Sequence, residues 1–587
     1  MSLRRRRASR WSDCGRDFRL HLRICRNQKY RSPSLEFTSR GSRDVAGYSG
    51  FVPIESLTMT GDASSTVAEG ARGGPVPGGE RPAQDEVPEY HDPVDASTYS
   101  AALDAKVAEL ERLFSPLMQQ ASIPILNAKG VDRSVSVRPE VFPSPPLNFR
   151  SRCRFQVMWE DGLVTAESTG ISPGESVEPG RRLSYRMWNK GKPTAPITEF
   201  PMALREIEEL MPAVLREAEA DPELGNGLQA IHFLASRGIH GGMVVTMVYG
   251  RPIDEAWKMA AEGPRARLKA AMRDIRERVY GGGDDDGFDG LAGPRGDDEE
   301  FDATTLNILG RSRGTQIVVG DACHVFETLT LRDGRRLSYR QVEGAFSNPN
   351  SFMAESTLDW LCDCAATTVR EALSGTSEHS AEAAPPSLLE LYSGNGNHTV
   401  GLAKYFDSVA TVELSGVLCE AARENLARNG VENAKVLHSP SESVARGMLR
   451  RKKRHEEGRV GKAAMAAAAT GAGDGSKRGD GSGMDFDINA YDVVLVDPPR
   501  AGLDPDTLDL VSRFDVVLYI SCDPRKGLLE NAVGPHAARV LDTGEFEGEF
   551  KGWSGLARTH DLVRFAVFDH FPYTRHIECG ACFVRRR

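Results

Sequence analysis

The chain has 587 residues, 40% of them hydrophobic, with 58 Gly and 33 Pro, which allows several domain-sized cores and a share of linker. The formal net charge of −10 argues against a uniformly basic nucleic-acid-binding chain, but the charge is uneven: residues 1–45 carry 13 Lys and Arg against four acids, and residues 281–300 carry eight acids against one Arg. No apolar run approaches the roughly 18 residues of a membrane helix, so a soluble protein with no membrane partner is expected.

Residues 1–95 are polar and rich in Gly, Pro and Ser, and read as a disordered extension. Their Arg-rich, acid-poor start has the composition of an organellar transit peptide, which would send the chain to a plastid or mitochondrion; otherwise a cytoplasmic protein is expected. From Tyr99, apolar residues recur at three- and four-residue spacing through AALDAKVAELERLFSPLM, an amphipathic helix. Strand-like runs follow at Cys153–Trp159, Met243–Tyr249 and Gln316–Gly320, with a helix over PMALREIEELMPAVLREAEA between the first two. Residues 96–345 therefore read as an α+β domain, interrupted by the acidic insert near 281–300, whose expected role is substrate positioning. Arg150, Arg152 and Arg154 beside Phe155 are its candidate phosphate contacts, or else a solvated strand face.

From 346 to 587 strands alternate with helices, the pattern of a doubly wound parallel sheet. Its strands are predicted at 388–392, 409–414, 435–438, 493–496, 516–520, 563–568 and 581–585. A low-complexity insert near 448–489 is expected to be a surface loop.

Ten Cys are scattered without the paired spacing of a zinc ribbon, and Cys579-x-x-Cys582 stands alone, so no metal is expected and a reducing compartment fits. The chemistry concentrates elsewhere. LLELYSGNGN (388–397) runs a strand into a glycine turn, where Gly394 and Gly396 let the backbone approach a ligand. Glu413 ends the next strand, 19 residues after Gly394, a spacing suited to binding ribose hydroxyls. Thr399 stands where a dinucleotide fingerprint needs its third Gly, which leaves an adenosine ligand such as S-adenosylmethionine. Asp497 in VDPPR ends a third strand, and its prolines stiffen the exit. Arg500 follows them, where amino-group methyltransferases have an aromatic and cytosine-C5 RNA methyltransferases a Cys.

Cys522 in YISCDP ends a fourth strand, and Glu578 lies in RHIECG. A thiol and a carboxylate suit substitution at a pyrimidine C5. The thiolate adds to C6, C5 attacks a methyl donor, and a base removes the C5 proton. The target base must leave its stack, and Phe571 and Tyr573 could pack against it, if they are not core residues.

The runs QVEGAFSNPN, LLELYSGNGN, VDPPRAGLD, YISCDP and FDHFPYTRHIECG, and more weakly VFPSPPLNFRSRCRF, resemble the RNA uracil-C5 methyltransferase family, in particular its TrmA-type tRNA (uracil-5-)-methyltransferases. The resemblance covers roughly 96–587, inserts apart. It implies a Rossmann-like catalytic domain, S-adenosylmethionine without a metal, and the T-arm of tRNA as partner, with uridine 54 converted to 5-methyluridine by a monomer. Cys522 would be the nucleophile and Glu578 the proton acceptor. Asn348, Tyr392, Gly394, Asn397, Glu413 and Asp497 would hold the methyl donor, and Arg500 would support the target base. Asn348 replaces the family's usual Gln, His398 an aromatic, and Asp523 an Asn, and a charge beside the thiol would raise its pKa. Ribosomal RNA is the alternative substrate, and a tRNA-folding module with little catalysis the alternative class.

Overall fold

The computed structural model describes residues 94–120, 137–161, 181–189, 192–238, 241–281, 305–374, 385–456, 487–544 and 553–586. The basic N-terminal segment and most of the two inserts lie outside these residues.

The N-terminal α+β part is built on six strands. In chain order they are β2 (Arg152–Asp161), β3 (Arg181–Arg186), β6 (Leu228–Ala235), β7 (Met243–Tyr249), β8 (Leu306–Ser312) and β9 (Thr315–Val319), arranged β3-β2-β6-β7-β8-β9. Only β7 and β8 pair in parallel. Two helices, Arg205–Ala220 and Glu255–Tyr280, pack on one another, the first with Ile207, Leu210, Met211 and Val214 buried at helical spacing. Short strands β4 (Trp188–Asn189) and β5 (Lys192–Pro193) complete this part, and the hairpin of β10 (His324–Thr330) with β11 (Arg336–Val342) packs Val325 against it and Leu329, Leu337 and Tyr339 into the core of the C-terminal sheet.

The C-terminal sheet has eight strands: β1 (Pro139–Phe142), β12 (Leu388–Leu391), β13 (Val409–Glu413), β14 (Ala434–His438), β15 (Val493–Val496), β16 (Val516–Ser521), β17 (His560–Phe568) and β18 (Glu578–Arg585). Their order is β1-β17-β18-β16-β15-β12-β13-β14. Only β18 runs against the rest. The central strands LLEL, VVLV and VVLYIS are buried at every position, because helices cover both faces. Cys579 and Cys582 point to opposite faces of β18, into two different apolar clusters, so they cannot share one metal ion.

Two features depart from the sequence pattern. Strand β1 joins the sheet beside β17, and the helix Tyr99–Gln120 packs on β17, so this sheet draws residues from both sides of position 346. The helix Ser441–Glu456 also carries regular structure into the first residues of the low-complexity insert.

Candidate active site

The strand register assembles the site. Leu391 pairs with Val412 and with Val496, and Val496 pairs with Tyr519, so Tyr392, Glu413 and Asp497 emerge at one edge of the sheet. Across the antiparallel ladder Ser521 pairs with Cys579, so one further step sets Cys522 opposite Glu578. This is the carboxyl edge, where ligands bind in open α/β sheets.

On one side lies the glycine turn. Tyr392 adopts φ 63° and Gly394 φ 58°, both left-handed, as β12 breaks. Nothing stands within 4 Å of where a Gly394 Cβ would sit, so the turn leaves room for a ligand. Glu413 is held with one oxygen on Gly394 N–H (2.9 Å) and the other on Ser415 N–H (2.7 Å), which fixes its carboxylate beside that space. Asn397 begins a short helix and accepts Tyr339 Oη–H on its backbone oxygen. Thr399 has its own reason to be there: its hydroxyl donates to Glu390, buried in the middle of β12. Burial pushes Glu390 up to about 8. An acid inside the apolar run LLEL was the sequence signal for this pair.

On the other side lies the thiol. Burial, then the charges of Glu578 and Asp497, push Cys522 up to about 12, against the pull of Arg500. Asp523 acts in the same direction as the acids, but as the weakest of the four charges. Burial raises Asp497 and Glu578 as well, and the charge of Asp497 adds to the rise at Glu578. Glu578 still keeps 15% of its side chain exposed. The loops bearing Arg500 and Cys522 touch through glycine: a Cβ on Gly502 (φ 78°) would lie 2.6 Å from Asn531 Oδ1 and 2.9 Å from Gly527 O.

The loop before Glu578 is clamped from the N-terminal helix. Lys106 Nζ donates to Asp569 Oδ1 (2.7 Å), Phe571 O (3.1 Å) and His576 O (3.1 Å). Arg525, just after Cys522, forms a two-pronged pair with Glu109 and donates to Arg575 O at 3.0 Å. Tyr573 is a packing residue rather than a base platform: it is buried, donates to Pro146 O (2.9 Å) and faces Tyr99 at 5.9 Å. Phe571 is half-buried between His570 and His576. Asn348 lies on the Glu578 side, accepting Asn350 N–H and facing His570 Nδ1, each at 3.0 Å. His570 in turn stands 3.4 Å from Glu578. Neither His570 nor Lys106 was singled out by the sequence.

Around this edge the arginine cluster is partly structural. Arg150 donates to Arg152 O and Arg152 to Ser347 Oγ, Arg154 is exposed, and Phe155 is core. Two residues before Asn348, Phe346 is 71% exposed. An exposed aromatic ring beside basic residues suits contact with an unstacked base.

The strand order, the glycine turn and the carboxylate ending the second parallel strand define a Rossmann-like S-adenosylmethionine-dependent methyltransferase. The tRNA (uracil-5-)-methyltransferase family profile matches residues 129–277, 297–459, 476–538 and 550–586. A relative in Aromatoleum aromaticum, a tRNA/tmRNA (uracil-C(5))-methyltransferase, is 29% identical over 495 residues, covering 84% of this chain and 97% of its own. One of the same description in Pseudomonas aeruginosa is 32% identical over 496 residues, covering 84% and 98%. The chain belongs to the tRNA (uracil-5-)-methyltransferase family: it is an enzyme that methylates uracil C5 in tRNA.

Proposed function

We propose that this enzyme methylates uridine 54 in the T-arm of tRNA through a covalent bond between Cys522 and uracil C6, acting as a monomer. The observation that carries the reading is the β16/β18 register, which leads Cys522 and Glu578 to the same point of the edge. The residues present fit the donor: Glu413, oriented by two backbone N–H groups, suits ribose hydroxyls, and Tyr392, Gly394, Asn397 and Asp497, which follow strands ending at the same sheet edge, complete the proposed donor site. Asn348 joins them from the Glu578 side. When bound, S-adenosylmethionine supplies an electrophilic methyl group on a cationic sulfur.

The chain's own residues do the rest. Cys522 gives up its proton to water and adds to C6 as the thiolate, which places the negative charge of an enolate on the ring and makes C5 nucleophilic. In this reading Arg500 supports the target base, and its charge draws the thiol toward ionisation. After methylation Glu578 removes the C5 proton, and a carboxylate raised toward neutrality is suited to that task. Extruding the base costs a few kcal/mol. The exposed ring of Phe346 and the cation of Arg154 offset part of that cost, with the α+β part positioning the arm. The test is methyl transfer to a T-arm minihelix. Incorporation is expected with uridine at position 54 and none with cytidine there. Transfer only to ribosomal RNA fragments would overturn the assignment.

A further inference from the structure

His570 has no part in the chemistry above, yet it touches the base. Its side chain is 1% exposed. Nε2 lies 3.4 Å from Glu578 Oε1 and 3.4 Å from Thr357 Oγ1, and Nδ1 lies 3.0 Å from Asn348 Oδ1. A backbone donor decides the tautomer. Asn350 N–H can only donate, and its acceptor at 3.0 Å is that same Asn348 Oδ1. The amide is therefore turned with its oxygen toward both groups, and His570 must donate from Nδ1. In a neutral ring Nε2 then keeps its lone pair, aimed at Glu578. An ionised Glu578 meets that lone pair as repulsion, and a protonated Glu578 meets it as an acceptor. The Thr357 hydroxyl can donate to Nε2 while Glu578 is ionised.

We propose that His570, locked by Asn348, is a positioning residue that favours the protonated form of Glu578 and thereby promotes removal of the C5 proton. The inference rests on the roles proposed above for Cys522 and Glu578. In this step the C5–H electron pair becomes the C5=C6 double bond. The C6–S bond breaks and its pair returns to Cys522 as thiolate. The proton passes to Glu578, where it is held on Oε1 facing Nε2. The surroundings support this order of basicity. Burial and the neighbouring His398 push His570 down to about 3, so the ring stays neutral near pH 7. His398 couples to the ring, while Asp497 and Cys522 couple to Glu578, and Asp497 raises Glu578 in the same sense. Phe568 and Phe571 flank the ring, with centroids 6.5 and 6.2 Å from it.

Two polar substitutions of different reach test the proposal in the full-length enzyme, with S-adenosylmethionine and unmodified tRNA. His570→Asn keeps a donor where Nδ1 stood and leaves nothing at Nε2, whereas His570→Gln extends an amide carbonyl to the Nε2 position. Single-turnover resolution of the covalent adduct, followed from about pH 6 to about pH 9, should be slowed at least about tenfold in His570→Asn. The limb that rises with Glu578 ionisation should move down by roughly one pH unit. A detergent-stable protein–RNA band should accumulate, with KM values for tRNA and donor little changed. His570→Gln should resolve the adduct like the wild type. Equal behaviour of the two variants, whether both active, both slow or both unfolded, would overturn the proposal. Glu578→Gln separates the two levels. If it resolves the adduct normally, the base assignment fails. If it traps the adduct while the His570 variants match, only the role of His570 fails.

Discussion

Replacing Lys106 by methionine keeps the side-chain stem and removes the ammonium. Lys106 is 7% exposed and Asp569 1%, so the pair is buried. Three acceptors lose their donor, and Asp569 Oδ2 already has no hydrogen-bond partner among the described residues. Breaking a buried ion pair from one side costs about 3–5 kcal/mol. Asp569 can escape part of this by protonating, because burial already raises its pKa, which favours the lower end, about 3 kcal/mol. Since Lys106 also pins Phe571 and His576, the loop leading to Glu578 should loosen, and displacement of about 1 Å at a reacting group costs on the order of 100-fold in rate. Urea denaturation should report the stability loss, and single-turnover methyl transfer the rate. The double variant Lys106→Met, Asp569→Asn should regain stability over the single one. A Lys106→Met enzyme within about 0.5 kcal/mol of wild type and equally fast would refute the clamp.

Three further outcomes follow from the geometry. Gly502→Ala places a Cβ against Asn531 Oδ1 and Gly527 O at positive φ, and should destabilise the protein by about 1–3 kcal/mol in urea titrations while slowing methyl transfer. Phe346→Ala should leave the thermal midpoint unchanged but weaken tRNA binding roughly 5- to 150-fold, the equivalent of about 1–3 kcal/mol of base stacking, measured by filter binding. Glu390 has its folded pKa raised from 4.5 to about 8, so the folded state holds a proton that the unfolded state has lost, and its contribution to stability falls as pH rises through that window. Glu390→Gln, neutral throughout, should therefore gain in thermal midpoint relative to wild type between about pH 5 and about pH 8.5. A constant difference would contradict the raised pKa.

The catalytic sheet was legible because its central strands are buried on both faces and read as unbroken apolar runs, such as VVLV and VVLYIS. Strand β1 was not, because PEVF is four residues long and its pairing with β17 is a contact between distant parts of the chain. Cys522, Asp497, Glu413 and Glu578 stood out because each ends or begins a strand beside Gly, Pro or a recurring run. Lys106 leaves a trace in the sequence. It falls on the stripe of Leu103, Leu110 and Phe114, where a charge must find a buried partner. His570 left none: its importance comes from Asn348 and Glu578, which meet it only in the folded chain.

The central claim is that Cys522 bonds covalently to uracil and Glu578 releases it. It is tested most directly by incubating the Glu578→Gln enzyme with S-adenosylmethionine and unmodified tRNA and resolving the products on a denaturing gel. A slow-migrating protein–RNA band should form and should vanish in the Cys522→Ala, Glu578→Gln double variant. Absence of the band in the single variant, or its persistence in the double variant, would contradict the account.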